Sequence, residues 1–83
     1  MNITGNQIKA ARALAGIEQA DLARGAKVSI NTVRNMEAAG KDVVRVRLDT
    51  LIRVRDALLA AGVRLVDDGD TSPDGPGVRL RKD

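Results

Sequence analysis

Residues Gln19 to Ala38 read QADLARGAKVSINTVRNMEA. The spacing predicts two short helices joined by a tight turn, the first over Gln19 to Gly25 and the second over Ile30 to Ala38. Leu22, Ala23, Val28, Val33 and Met36 fall where such a pair buries its inner face. Ser29 stands just before the second helix, where a hydroxyl accepts an otherwise unpaired backbone N–H and caps it. The outward residues of that helix are Asn31, Thr32, Arg34 and Asn35. They are hydrogen-bonding and mostly uncharged, a composition suited to reading base edges in the major groove of duplex DNA.

The rest of the chain builds around this pair. Thr4-Gly5-Asn6-Gln7 fits the S/T-x-x-E/Q capping box, so a first helix is expected from about Gly5. Ile8, Ala11, Leu14 and Ala15 repeat at helical spacing, Gly16 stops the helix, and Ile17 is expected to pack under the turn. Ala39 to Asp42 reads as a loop. Val43 to Arg47 alternates β-branched and basic residues and is compatible, on pattern alone, with a short strand. A fourth helix is expected from about Leu48 to Ala61, with Leu51, Ile52, Arg55, Leu58 and Leu59 defining its faces. The period then changes to two in Val63-Arg64-Leu65 and again in Gly77 to Arg81, with turn formers between. This predicts a β-hairpin. A lone two-stranded hairpin is marginal, so Val63, Leu65, Val78 and Leu80 are expected to pack on the fourth helix or against a second chain.

Composition narrows the chemistry. The 83 residues contain no Cys and no His. Disulfides, thiolate metal sites and the usual general base are therefore missing, and with no paired carboxylates an enzyme is not expected. No cofactor or metal is expected. Phe, Tyr and Trp are also absent, which disfavours single-stranded nucleic acid, whose binders stack bases on aromatic rings. Neither a membrane-length apolar run nor a signal-peptide pattern occurs, so a cytoplasmic, nucleoid-associated location is expected. Residues 1–66 carry 11 Lys or Arg against 6 Asp or Glu, and residues 67–83 carry 3 against 5, which together give the net charge of +3. A basic body fits a polyanionic partner.

The pattern resembles the helix-turn-helix of the phage-repressor-like family, the XRE or Cro-type regulators, over about Thr4 to Val63. In that family a helix ends in R-x-x-x-G. Q-x-x-L-A, V-S, an aliphatic residue and E follow, here Arg12, Gly16, Gln19, Leu22, Ala23, Val28, Ser29, Val33 and Glu37. Two positions depart from it: Glu18 replaces the usual Ser or Thr, and Lys27 replaces the usual turn Gly. A left-handed Lys27 would cost roughly 1 kcal/mol. The resemblance implies a mainly α fold, a four-helix lambda-repressor-like domain over residues 1–62 in which Val43 to Arg47 is an extended loop. The C-terminal β-hairpin read from the alternating segments, over 63–83, follows it and is the candidate for the dimer contact. It implies base contacts from Ile30, Asn31, Thr32, Arg34 and Asn35, and a phosphate contact from Gln19. Lys27, Lys41, Arg45 and Arg47 lie in flanking loops and are further candidates for phosphate contacts, which position rather than specify. Arg12 and Glu37 are expected to form a structural ion pair.

The function expected is a sequence-specific duplex DNA-binding regulator, a small homodimeric repressor. The competing expectation is an antitoxin-like interaction module that binds a toxin-like partner protein through its hairpin. The acidic stretch Asp68-x-Asp70-x-Ser72 has alternating oxygen donors, but Pro73 and Arg79 stand where a calcium loop needs Gly and Glu, so it reads as a connector.

Overall fold

The computed structural model describes residues 2–66 and 77–80. Four helices, α1 (Gly5–Ala15), α2 (Gln19–Ala26), α3 (Ile30–Ala38) and α4 (Leu48–Ala60), are followed by an antiparallel pair of strands, β1 (Val63–Val66) and β2 (Gly77–Leu80). The protein is mainly helical. The acidic stretch from Asp68 to Pro73 lies outside the described residues.

Local chemistry sets the helix ends. The Thr4 hydroxyl accepts the Gln7 N–H (3.1 Å) and the Gln7 side chain accepts the Thr4 N–H (2.8 Å), a complete capping box. Gly16 ends α1 at φ 73°. α2 takes Glu18 as its N-cap, whose N–H donates to Asp21 Oδ2 at 2.9 Å. It ends at Lys27, which takes φ 58° and ψ 44°, the left-handed conformation that penalises a side-chain-bearing residue. Ser29 Oγ accepts the Thr32 N–H at 3.1 Å and caps α3.

One aliphatic core joins all the elements. Ile8 and Ala11 of α1, Leu22 and Ala26 of α2, Val33 and Met36 of α3, Leu51, Val54 and Leu58 of α4, and Val63 and Leu65 of β1 belong to the same buried cluster. Ile17, Val28 and Ile30 pack partly against it. On α4 the inner stripe is Leu51, Val54 and Leu58, while Ile52, Arg55 and Leu59 are half-buried. Val43 meets Thr4 in an isolated bridge, and the rest of the segment 43–47 is loop.

The hairpin pairs Val63 with Leu80, Arg64 with Arg79, Leu65 with Val78 and Val66 with Gly77. β1 packs on α1 and α4, and β2 packs on α1. Its inward face departs from expectation at Leu80, which is 63% exposed on the strand that packs more on α1 than on α4. Leu14, on the stripe expected to be buried, is also open at 43%. Val66 is buried although the alternation places it on the other face.

Two sets of contacts tie α1 to its neighbours. α1 starts against the end of α3: the Asn6 N–H donates to the Gly40 carbonyl (2.8 Å) and the Gly5 N–H to that of Asp42 (3.2 Å). On the hairpin side, the buried Gln7 amide donates to the carbonyls of Val66 (2.8 Å) and Gly77 (3.0 Å). Gln7 thus serves the α1 cap and clasps both strands with one side chain.

Candidate nucleic-acid interface

α3 is amphipathic in the sense its spacing requires. Val33 and Met36 are buried, and Asn31, Arg34 and Asn35 are exposed. At about 100° per residue, Asn35 lies about 40° to one side of Asn31 and Arg34 about 60° to the other. The three side chains therefore form one continuous polar strip. Arg34 Nη1 donates to Asn31 Oδ1 at 3.4 Å. Asn35 makes no side-chain hydrogen bond among the described residues.

The other two residues expected at base edges are differently placed. Thr32 is half-buried, and its hydroxyl lies 2.9 Å from Ser29 Oγ. It works beside the cap. Ile30 is half-buried and packs partly on the core.

Behind the strip stands a charged brace. Arg12 Nε donates to Glu37 Oε2 at 2.8 Å and its Nη2 to Oε1 at 3.1 Å, a forked pair whose side chains are 16% and 6% exposed. Arg12 Nη1 also donates to the Ile17 carbonyl at 3.1 Å. The hydrogen bond to Glu37, more than its charge or that of Glu18, raises the Arg12 pKa against the opposing effect of burial. This brace joins α1, the α1–α2 turn and the last turn of α3. Forked guanidinium–carboxylate geometry is directional as well as strong, so it fixes how α3 is rotated.

Gln19 belongs to the same brace. Its Nε2 donates to Glu37 Oε1 at 3.2 Å, so the side chain expected at a phosphate is engaged with α3. The first turn of α2 is also acidic, with Glu18 at its cap and Asp21 three residues on. The Glu18 N–H, and then Arg24, hold the Asp21 carboxyl below its ordinary range. That charge favours the helix dipole and opposes an anion there.

The basic candidates fall into two groups. Lys41, Arg45 and Arg47 are exposed in the loop that leaves α3. Arg47 contacts Asp49 at 3.3 Å in a solvent-exposed pair, which is worth little and is easily exchanged. Lys27 lies elsewhere. With Arg53 it lines a cleft of about 490 Å³ between α2 and α4, together with Gly25, Ala26, Asp56, Ala57 and Ala60. Nothing in the linear spacing marks Arg53. Its place depends on the close packing of α2 on α4, where a methyl group built on Gly25 would lie 3.6 Å from the Ala57 side chain.

Among the described residues no group of carboxylates is arranged to hold a metal ion, and no helix is long and apolar enough to cross a membrane. No family model matches the chain, and no curated protein matches it.

Proposed function

We propose that this protein is a sequence-specific duplex DNA-binding regulator, a small repressor of the XRE or Cro type. α2 and α3 form its helix-turn-helix, and α3 is the recognition helix. The observation that carries the reading is the exposed strip of Asn31, Arg34 and Asn35 on a helix whose opposite face is locked by Val33, Met36 and the Arg12–Glu37 pair. Amide and guanidinium groups held on a rigid rod match the donor and acceptor pattern of the major groove. Lys41, Arg45 and Arg47 supply phosphate contacts from one flank.

A single module of this size buries only about 600–1,000 Å² of protein surface on DNA. Useful affinity therefore calls for a homodimer on a two-fold site with half-sites about one helical turn apart. Among the described residues β2 pairs with β1 alone, and its far edge, with the exposed Leu80, is the surface we assign to that contact, since an unpaired strand edge otherwise invites unwanted pairing.

The test is binding of labelled duplexes by the purified protein across a salt series. The logarithm of affinity is expected to fall with that of salt concentration by about 0.9 per phosphate neutralised. Asn31→Ala and Asn35→Ala are expected to lose discrimination at particular base pairs, and Arg45→Ala to weaken all sequences evenly. Equal losses across sequences for all three would contradict the assignment. Retention of no duplex, with salt-resistant binding of a neighbouring gene product, would favour a partner-binding module of the antitoxin kind.

A further inference from the structure

The polarity of the strip points to a particular base. Asn31 and Arg34 sit one turn apart, with Arg34 Nη1 donating to Asn31 Oδ1. The contact is long, at 3.4 Å, and both side chains are exposed, but its sense is set by charge. A guanidinium three residues along the helix attracts the negative end of the Asn31 amide and turns the NH2 end away. Closing the face against DNA removes water and strengthens this preference.

We propose that the Asn31–Arg34 couple reads guanine. This rests on the assignment of α3 as the recognition helix. With Oδ1 turned to Arg34, Asn31 presents N–H groups outward, and Arg34 has only donors to offer. A donor-only surface matches the guanine edge, which carries two acceptors, N7 and O6. Adenine offers one acceptor and one donor, and cytosine a donor. Asn31 alone would favour adenine, because a free amide bonds the adenine N6 and N7 together. Arg34 is thus a specificity-determining residue that acts partly through the orientation of its neighbour. Asn35 has no such partner among the described residues and keeps both ends of its amide, so it does not share the effect.

The experiment is in vitro selection from a random duplex library with the wild-type protein and with Arg34→Ala, after circular dichroism shows that both fold. The wild type is expected to enrich sites with a guanine at a fixed position of each half-site, preferred over adenine there by about ten-fold. Arg34→Ala is expected to change that position to adenine. Enrichment without such a guanine, retention of the same base by Arg34→Ala, or loss of all preference at that position in the folded variant would each overturn the couple while leaving DNA reading intact. No enrichment by the wild type would overturn the DNA-binding reading itself, and the inference with it.

Discussion

Gly5 and the Met36 carbonyl meet so closely that a methyl group added at Gly5 would lie 2.5 Å from that oxygen. The Gly40 nitrogen, at 2.7 Å, and the Glu37 carbonyl, at 2.8 Å, close in as well. All three neighbours are backbone atoms, so none can swing aside. α1 comes this near because its first N–H groups donate to the chain leaving α3.

The usual benefit of replacing a helical glycine by alanine, about 0.5–1 kcal/mol, is therefore expected to reverse here. Gly5→Ala should destabilise the fold by about 1–3 kcal/mol, the usual range for overpacking. Gly25→Ala, which meets only an ordinary contact at 3.6 Å, is the control and should be neutral or mildly stabilising. Urea unfolding followed by circular dichroism measures both, and equal stabilities for the two variants would contradict the close approach.

Gln7→Glu separates two roles of one side chain. Glutamate keeps the capping box but has no N–H for the carbonyls of Val66 and Gly77. The hairpin should loosen, at a cost of at least about 1–3 kcal/mol, because two carbonyls lose their donor and a buried carboxylate is set against them, while α1 persists. Amide hydrogen exchange in β1 and β2 should accelerate at least several-fold more than in α1. Uniform acceleration across the chain would indicate that the clasp is not local.

The Arg12–Glu37 pair should be costly to break from one side. Arg12→Ala leaves the buried Glu37 carboxylate with the Gln19 amide as its side-chain partner among the described residues, and about 3–5 kcal/mol of stability should be lost. The double replacement Arg12→Met with Glu37→Leu should recover much of it, because neither charge is left unpaired. A double variant no more stable than the single one would show that the loss comes from the missing hydrogen bonds and packing and not from an unpaired buried charge.

Asp21 gives the pH dependence. Its carboxyl is held below the ordinary range by the Glu18 N–H and by Arg24, so its folded pKa is lower than its unfolded one. The stabilisation is thus fully present above the ordinary carboxylate range, near 3.9, and is lost as pH falls through the folded value. Wild type and Asp21→Asn should differ at neutral pH and converge in acid. A difference that persists in strong acid would assign the effect to something other than this carboxylate.

Short-range chemistry made much of the fold legible. The capping box at Thr4, the cap at Ser29 and the stop at Gly16 place helix ends to within about a residue, because each acts over three or four positions. The two alternating segments located the hairpin. What escaped were relationships between distant residues. Gln7 is a cap residue by spacing, and only the packing of the hairpin on α1 reveals its bonds to Val66 and Gly77. Leu80 alternates like a core residue, yet it sits on β2, which packs more on α1 than on α4. In the candidate site, the exposure of Asn31, Arg34 and Asn35 follows from helical period alone. The engagement of Gln19 with Glu37 and of Thr32 with Ser29 depends on how individual side chains turn, which spacing does not specify.

The most direct test follows the side-chain amide signals of Asn31 and Asn35 in a ¹H–¹⁵N spectrum as duplex DNA is added to the labelled protein. Because the chain has no aromatic residue, this readout also avoids the weak absorbance at 280 nm. Both amides should shift strongly on saturation with a selected duplex, together with backbone amides of α3 and of the loop carrying Lys41 and Arg45. Signals from Asn31 and Asn35 that stay in place while DNA is bound would contradict the assignment of α3 as the reading element.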